Sequence, residues 1–104
     1  MILVDVTRNK QSVINLITVS GHSGYDEIGK DIVCSAVSTA MYISIGLLEK
    51  LNTNHRFTSD DKTPIMKLEI ESSQEITNTV LENLVETLKG ISIDYSKYLK
   101  INEK

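Results

Sequence analysis

The stretch from Ile32 to Leu51 constrains the fold more than any other part of the chain. Apolar residues at 32, 33, 36, 37, 40, 41, 43, 45, 47, 48 and 51 recur in steps of three and four over about five turns, leaving a narrow stripe of small hydroxyl residues. A helix this apolar has to be covered, so it is expected as the central, deeply packed helix of the molecule. Ser35, Ser38, Thr39 and Ser44 interrupt the run and argue against a membrane span. Asp31 stands where an N-cap belongs. Its carboxylate can accept the amides that a first turn leaves unpaired, which predicts a helix starting at Ile32 and closing at Asn52 to Asn54.

The flanking segments supply a sheet to cover that helix. Ile2 to Val6 and Asn15 to Ser20 are β-branched, apolar runs separated by the polar Arg8 to Ser12, a pattern that predicts an antiparallel pair. Arg56 to Ser59 reads as a short edge strand, Asp60 to Pro64 as a turn, and Ile65 to Glu71 alternates apolar and charged residues as a half-buried strand does. Ser73 to Lys89 is an amphipathic helix with Ile76, Val80, Leu81, Leu84, Val85 and Leu88 on one face, Ser72 or Ser73 as its cap and Gly90 as its stop. Ile91 to Ile93 and Tyr98 to Ile101 offer a last strand, with Asn102 to Lys104 as a frayed tail. The order β-β-α-β(-β)-α-β predicts a two-layer α/β fold, two helices packed on one face of a mixed sheet.

A chain of 104 residues suits one domain spanning 1–104, because smaller pieces would bury too little core. The net charge of −3, with no Lys/Arg-rich stripe, argues against direct nucleic-acid binding and suits a basic partner. The segment Met1 to Arg8 lacks a basic start and carries Asp5 within its apolar run, so it does not read as a signal peptide, and a cytoplasmic location is expected. One cysteine allows no internal disulfide, and no cluster offers zinc three or four ligands; neither a metal nor a cofactor is expected.

Cys34 is thus either a packing residue, as free cysteines often are, or a reactive thiol. As the third residue of the predicted helix it lies among unpaired amides and at the positive end of the macrodipole, a position that favours thiolate and offers N–H groups to an oxyanion. His22 lies on the loop Gly21 to Lys30, with glycines at 21, 24 and 29, and that loop must return to the start of the helix. Imidazole and thiol can then meet as a Cys-His dyad. Asp31 is a cap first, with orientation of His22 or substrate as its other reading. Ser38, one turn beyond Cys34, reads as a hydroxyl bonding back to its own helix. Tyr25, Glu27 and Lys30 read as solvated loop residues able to touch a substrate, and His55 as a solvated side chain.

The strings Gly21-His22-Ser23-Gly24-Tyr25 and Gly29-Lys30-Asp31-Ile32-Val33-Cys34-Ser35-Ala36-Val37-Ser38 resemble the GHAGY…GxDIVCAAVS signature of the ribosomal-processing cysteine proteases called Prp, or YsxB-like proteins. The resemblance implies an endopeptidase that removes the N-terminal extension of a large-subunit ribosomal protein, the one designated bL twenty-seven. It carries His22 over as general base and Cys34 as nucleophile. Gly21, Asp31 and Ser38 carry over as supporting positions, and Ser23, Gly24, Tyr25 and Gly29 as parts of a flexible substrate loop. It further implies a homodimer acting on a peptide with a basic, aromatic-containing stretch before the cut. Ser23 and Ser35 stand where the signature has alanine. Two other readings compete: a non-enzymatic ribosome-associated peptide-binding module in which Cys34 only packs, and a thiol redox sensor that needs no histidine.

Overall fold

The computed structural model describes residues 1–27, 31–60 and 62–104. Its first two apolar runs pair as β1 (Ile2–Arg8) and β2 (Ile14–Ser20), antiparallel, with Val4 opposite Val19 and Val6 opposite Ile17. The Asn9 side-chain oxygen accepts the amides of Gln11 and Val13 and so shapes the turn between them. A second hairpin, β3 (His55–Asp60) with β4 (Ile65–Ile70), joins through β4 to β2, while β5 (Leu99–Glu103) lies parallel to β1. The sheet order is β3-β4-β2-β1-β5, with β3 at the edge as expected.

This order explains the layering. β2 and β3 point the same way, so their link must cross the sheet, and α1 (Ile32–Lys50) makes that crossing. β4 and β5 point the opposite way and are joined by α2 (Glu75–Asp94), which crosses in the opposite lateral direction. Reversing both strand direction and lateral direction leaves a right-handed crossover on the same face, so both helices cover one side of the sheet. Ile2, Val4, Val6, Ile17, Val19 and Leu68 meet Val33, Val37, Met41 and Leu48 of α1 and Leu81, Leu84 and Leu88 of α2 in one buried core. On the other face Leu3, Arg56 and Lys67 are exposed.

Several expectations are corrected. α1 is packed along one side only: Val33, Val37, Met41, Ser44, Ile45 and Leu48 are buried, whereas Ile32, Tyr42, Ile43 and Leu47 are 44–61% exposed. Its mean hydropathy of 1.6 and its length would suffice for a membrane span, yet a two-layer fold covers only the side that faces the sheet. α2 does not stop at Gly90 but runs through Ile91, Ser92 and Ile93 to Asp94, so the piece expected to share the last strand with Tyr98 to Ile101 is helix. Its cap is Gln74, whose amide is accepted by the buried Thr77 hydroxyl, rather than Ser72 or Ser73, and Ile76 points to solvent. The tail is not frayed: β5 includes Asn102 and Glu103, and the Lys104 amide donates to the Val6 carbonyl at 2.8 Å. Glu103 accepts from Lys89 at 2.7 Å and from Arg8 at 3.1 Å, and Arg8 also holds Glu82 at 2.6 Å, joining β1, α2 and β5.

Candidate active site

Asp31 caps α1 as its position predicts. One carboxylate oxygen accepts the amides of Val33 at 3.0 Å and Cys34 at 2.9 Å; the other accepts the hydroxyl of Ser23. The residue is only 7% exposed, and burial by itself opposes ionisation. The Ser23 hydroxyl and the amides of Cys34, Val33 and Tyr25 outweigh that cost and hold the carboxyl below its ordinary range. Asp31 is therefore a buried carboxylate that ties the loop to the helix, and it bonds to Ser23 rather than to His22. It also occupies the amides of residues 33 and 34, so the expected oxyanion role for those N–H groups is not available in this arrangement.

The loop leaves β2 through Gly21 at φ +89, where a Cβ would lie 2.5 Å from the carbonyl oxygen of Met1. Only glycine meets both demands. The Gly21 amide donates to the Pro64 carbonyl at 2.9 Å, which fixes the loop's root beside the β3–β4 turn. His22 follows and is exposed, whereas Ser23 is 3% exposed, with its oxygen also accepting the Tyr25 amide at 3.1 Å. Gly24 turns the chain at φ +73, and Tyr25 packs edge-on against Tyr98 and Tyr95, ring centres 5.1 and 5.7 Å away. Tyr25 is thus docked at the foot of α2 and start of β5, a contact the sequence did not suggest because its partners lie some seventy residues on. Gly29 and Lys30 lie outside the described residues.

Cys34 is half-buried and lines, with His22, Gly21 and Ser38, a cleft of about 200 Å³. That is room for a side chain or two of an extended peptide. Among the described residues the thiol and the imidazole face the same cleft without a hydrogen bond between them. Ser38 makes no bond back to its helix; Ser44 does so instead, donating to the Ala40 carbonyl at 2.9 Å. Tyr42 also lines the cleft, as do Ser59, Asp60, Pro64, Ile65 and Met66. No local signal marks these residues; they reach the site because β4 pairs with β2, so the second hairpin ends beside Gly21. His55 is not simply solvated: its Nδ1 bonds to the Thr53 carbonyl at 2.8 Å.

A half-buried thiol in the first turn of a helix, an exposed imidazole on the facing loop and a cleft open to an extended chain make a site for acyl transfer through sulfur. Comparison with known proteins agrees in class and narrows it. The chain belongs to the family described as cysteine protease Prp, whose model matches residues 1–100, and is a cysteine protease. It is 24% identical to the ribosomal processing cysteine protease Prp of Staphylococcus aureus, with all of both chains covered. It is 29% identical to the protein of that name from Mycoplasma pneumoniae, covering 85% of this chain and 86% of the other. The fold matches the crystal structure of the S. aureus protease in complex with a covalently linked product peptide at a TM-score of 0.93, over 100% of each chain at 24% identity.

Proposed function

We propose that this protease removes the N-terminal extension of a large-subunit ribosomal protein of the bL twenty-seven type during ribosome maturation in the cytoplasm, with Cys34 as nucleophile and His22 as general base. The observation that carries the assignment is that Cys34 and His22, twelve positions apart, line one cleft on a chain of this family. His22 takes the thiol proton as sulfur attacks the scissile carbonyl. The C–N bond then breaks, the departing amine takes the proton from His22, and a thioester remains on Cys34. Water, deprotonated by the same imidazole, releases the new carboxylic acid and restores the thiol. Small movements of the loop at residues 21–27 bring the imidazole into hydrogen-bonding reach when a peptide fills the cleft.

The net charge of −3 supports a basic substrate by assisting encounter. A homodimer is part of the same proposal. Thr39, Ile43 and Leu47 on the outer side of α1 and Leu51 at its C-cap follow one another at four-residue steps, a line of mostly apolar exposed residues that suits a second copy of the chain.

Incubation with a peptide spanning the extension and the start of the mature protein tests the assignment. One new pair of fragments by mass spectrometry is expected, with loss of cleavage in Cys34→Ala and His22→Ala. Full activity in either variant would overturn the dyad, and an intact peptide with the unaltered protein would overturn the substrate.

A further inference from the structure

Ser23 stands where the family signature has alanine, and its surroundings are more specific than a loop serine requires. It is 3% exposed, in a loop whose neighbours His22, Gly24 and Tyr25 are all exposed. Its hydroxyl donates to Asp31, a carboxylate held ionised at the start of α1, and its oxygen accepts the Tyr25 amide at 3.1 Å. A hydroxyl has one proton to give and lone pairs to receive, and both functions are used here. On the other side of His22, Gly21 is fixed by its amide on the Pro64 carbonyl and by the close approach of Met1.

His22 is therefore suspended between two fixed points. Gly21 is tied to the turn before β4, and Ser23 is tied to the same carboxylate that receives the Cys34 amide at 2.9 Å. One aspartate thus connects the residue following the imidazole with the backbone of the residue bearing the thiol. We infer that Ser23 is a positioning residue, whose bond to Asp31 holds the His22 side of the loop at the mouth of the cleft opposite Cys34. With alanine there, the side-chain bond from the residue after the histidine to the helix cap is lost, leaving only the Tyr25 amide to tie this segment to Asp31, and the imidazole samples a wider range of positions. This inference rests on the assignment of Cys34 and His22 as the reacting pair.

The test separates positioning from simple folding. In Ser23→Ala the kcat for the extension peptide falls about tenfold while KM stays within about twofold, because peptide contacts in the cleft remain and alignment of the base is lost. Ser23→Thr, which keeps the hydroxyl, recovers at least about half of the wild-type kcat. Alkylation of Cys34 by iodoacetamide at neutral pH needs no substrate; its rate in Ser23→Ala drops toward that of His22→Ala. In the unaltered protein the Tyr25 amide is protected from hydrogen exchange by about tenfold or more relative to a free peptide. A Ser23→Ala protein with wild-type kcat and alkylation rate overturns the inference, as does an unprotected Tyr25 amide. Failure of the substrate assignment looks different: no peptide is cleaved by the unaltered protein, while alkylation still separates it from Ser23→Ala.

Discussion

Asp31 carries more of the local structure than any other polar residue of the site, and its replacement tests how much. Asp31→Ala removes the cap, worth about 1 kcal/mol, and leaves the buried Ser23 hydroxyl without its acceptor at a further cost of about 1–3 kcal/mol. A lower urea midpoint with an unchanged slope is the expected result, and a midpoint within experimental error of wild type contradicts it. Gly21 is the other residue with no substitute. Gly21→Ala places a Cβ against the Met1 carbonyl at a φ of +89, and a loss of about 1–3 kcal/mol in stability is expected together with loss of cleavage. Thermal unfolding and peptide assay together check it. At this scale the sequence spoke clearly where the cause is local. The cap at Asp31 follows from neighbours within a few positions, whereas the need for glycine at 21, set by the Met1 and Pro64 carbonyls, the role of Ser23 and the docking of Tyr25 depend on groups brought close only by folding.

At the scale of elements, α1 and α2 illustrate opposite errors of periodicity. The apolar pattern of α1 was legible, but a helix against one sheet offers a single buried side, and the pattern alone cannot say whether its excess apolar residues meet solvent or another chain. Met41, fully buried, belongs to the inner side, and Met41→Ala is expected to cost about 2–5 kcal/mol in a urea titration. Ile43→Glu on the outer side is expected to leave that midpoint nearly unchanged and to weaken self-association in sedimentation velocity. In α2, Gly90 reads locally as a stop, yet the helix continues because Ile91 packs against the core beyond it. Gly90 has no positive φ, and a Cβ there would meet nothing within 4 Å beyond its own turn of helix. Gly90→Ala is therefore expected to stabilise the protein by about 0.5–1 kcal/mol. A true terminating glycine would instead be destabilised by the same change, so a melting curve distinguishes the two.

Across the whole molecule, carboxylates held by partners set the response to acid. Glu82 is kept below its ordinary range chiefly by Arg8, Glu103 chiefly by Lys89 and then Arg8, and Asp31 by Ser23 and the helix amides against the opposing effect of burial. Each depressed carboxyl contributes stability that is complete above its unfolded value, roughly pH 4, and is lost as pH falls through its lower folded value. Arg8, raised by Glu82 and Glu103, stays charged throughout that window. The urea midpoint is expected to be level from neutral pH to about 5 and to decline below about 4, with a smaller decline in Asp31→Asn, which cannot titrate at 31. Glu82 and Glu103 are 41% and 37% exposed, so water screens their pairs and Arg8→Ala should cost only about 1 kcal/mol or less at neutral pH.

The sequence by itself determined the order of strands and helices and the cap ahead of Cys34, because period, capping and turn chemistry act over a few positions, and the resemblance of two short strings singled out Cys34 and His22 as the pair proposed to react. Tertiary structure alone decided the rest. It placed Ser59, Asp60, Pro64, Ile65 and Met66 at the cleft through the pairing of β4 with β2, carried α2 past its glycine, left one side of α1 open and locked Ser23 onto Asp31. The physical reason is common to all four: each depends on which surfaces meet after two crossovers over the same face of a sheet, and that meeting has no local signature in the chain.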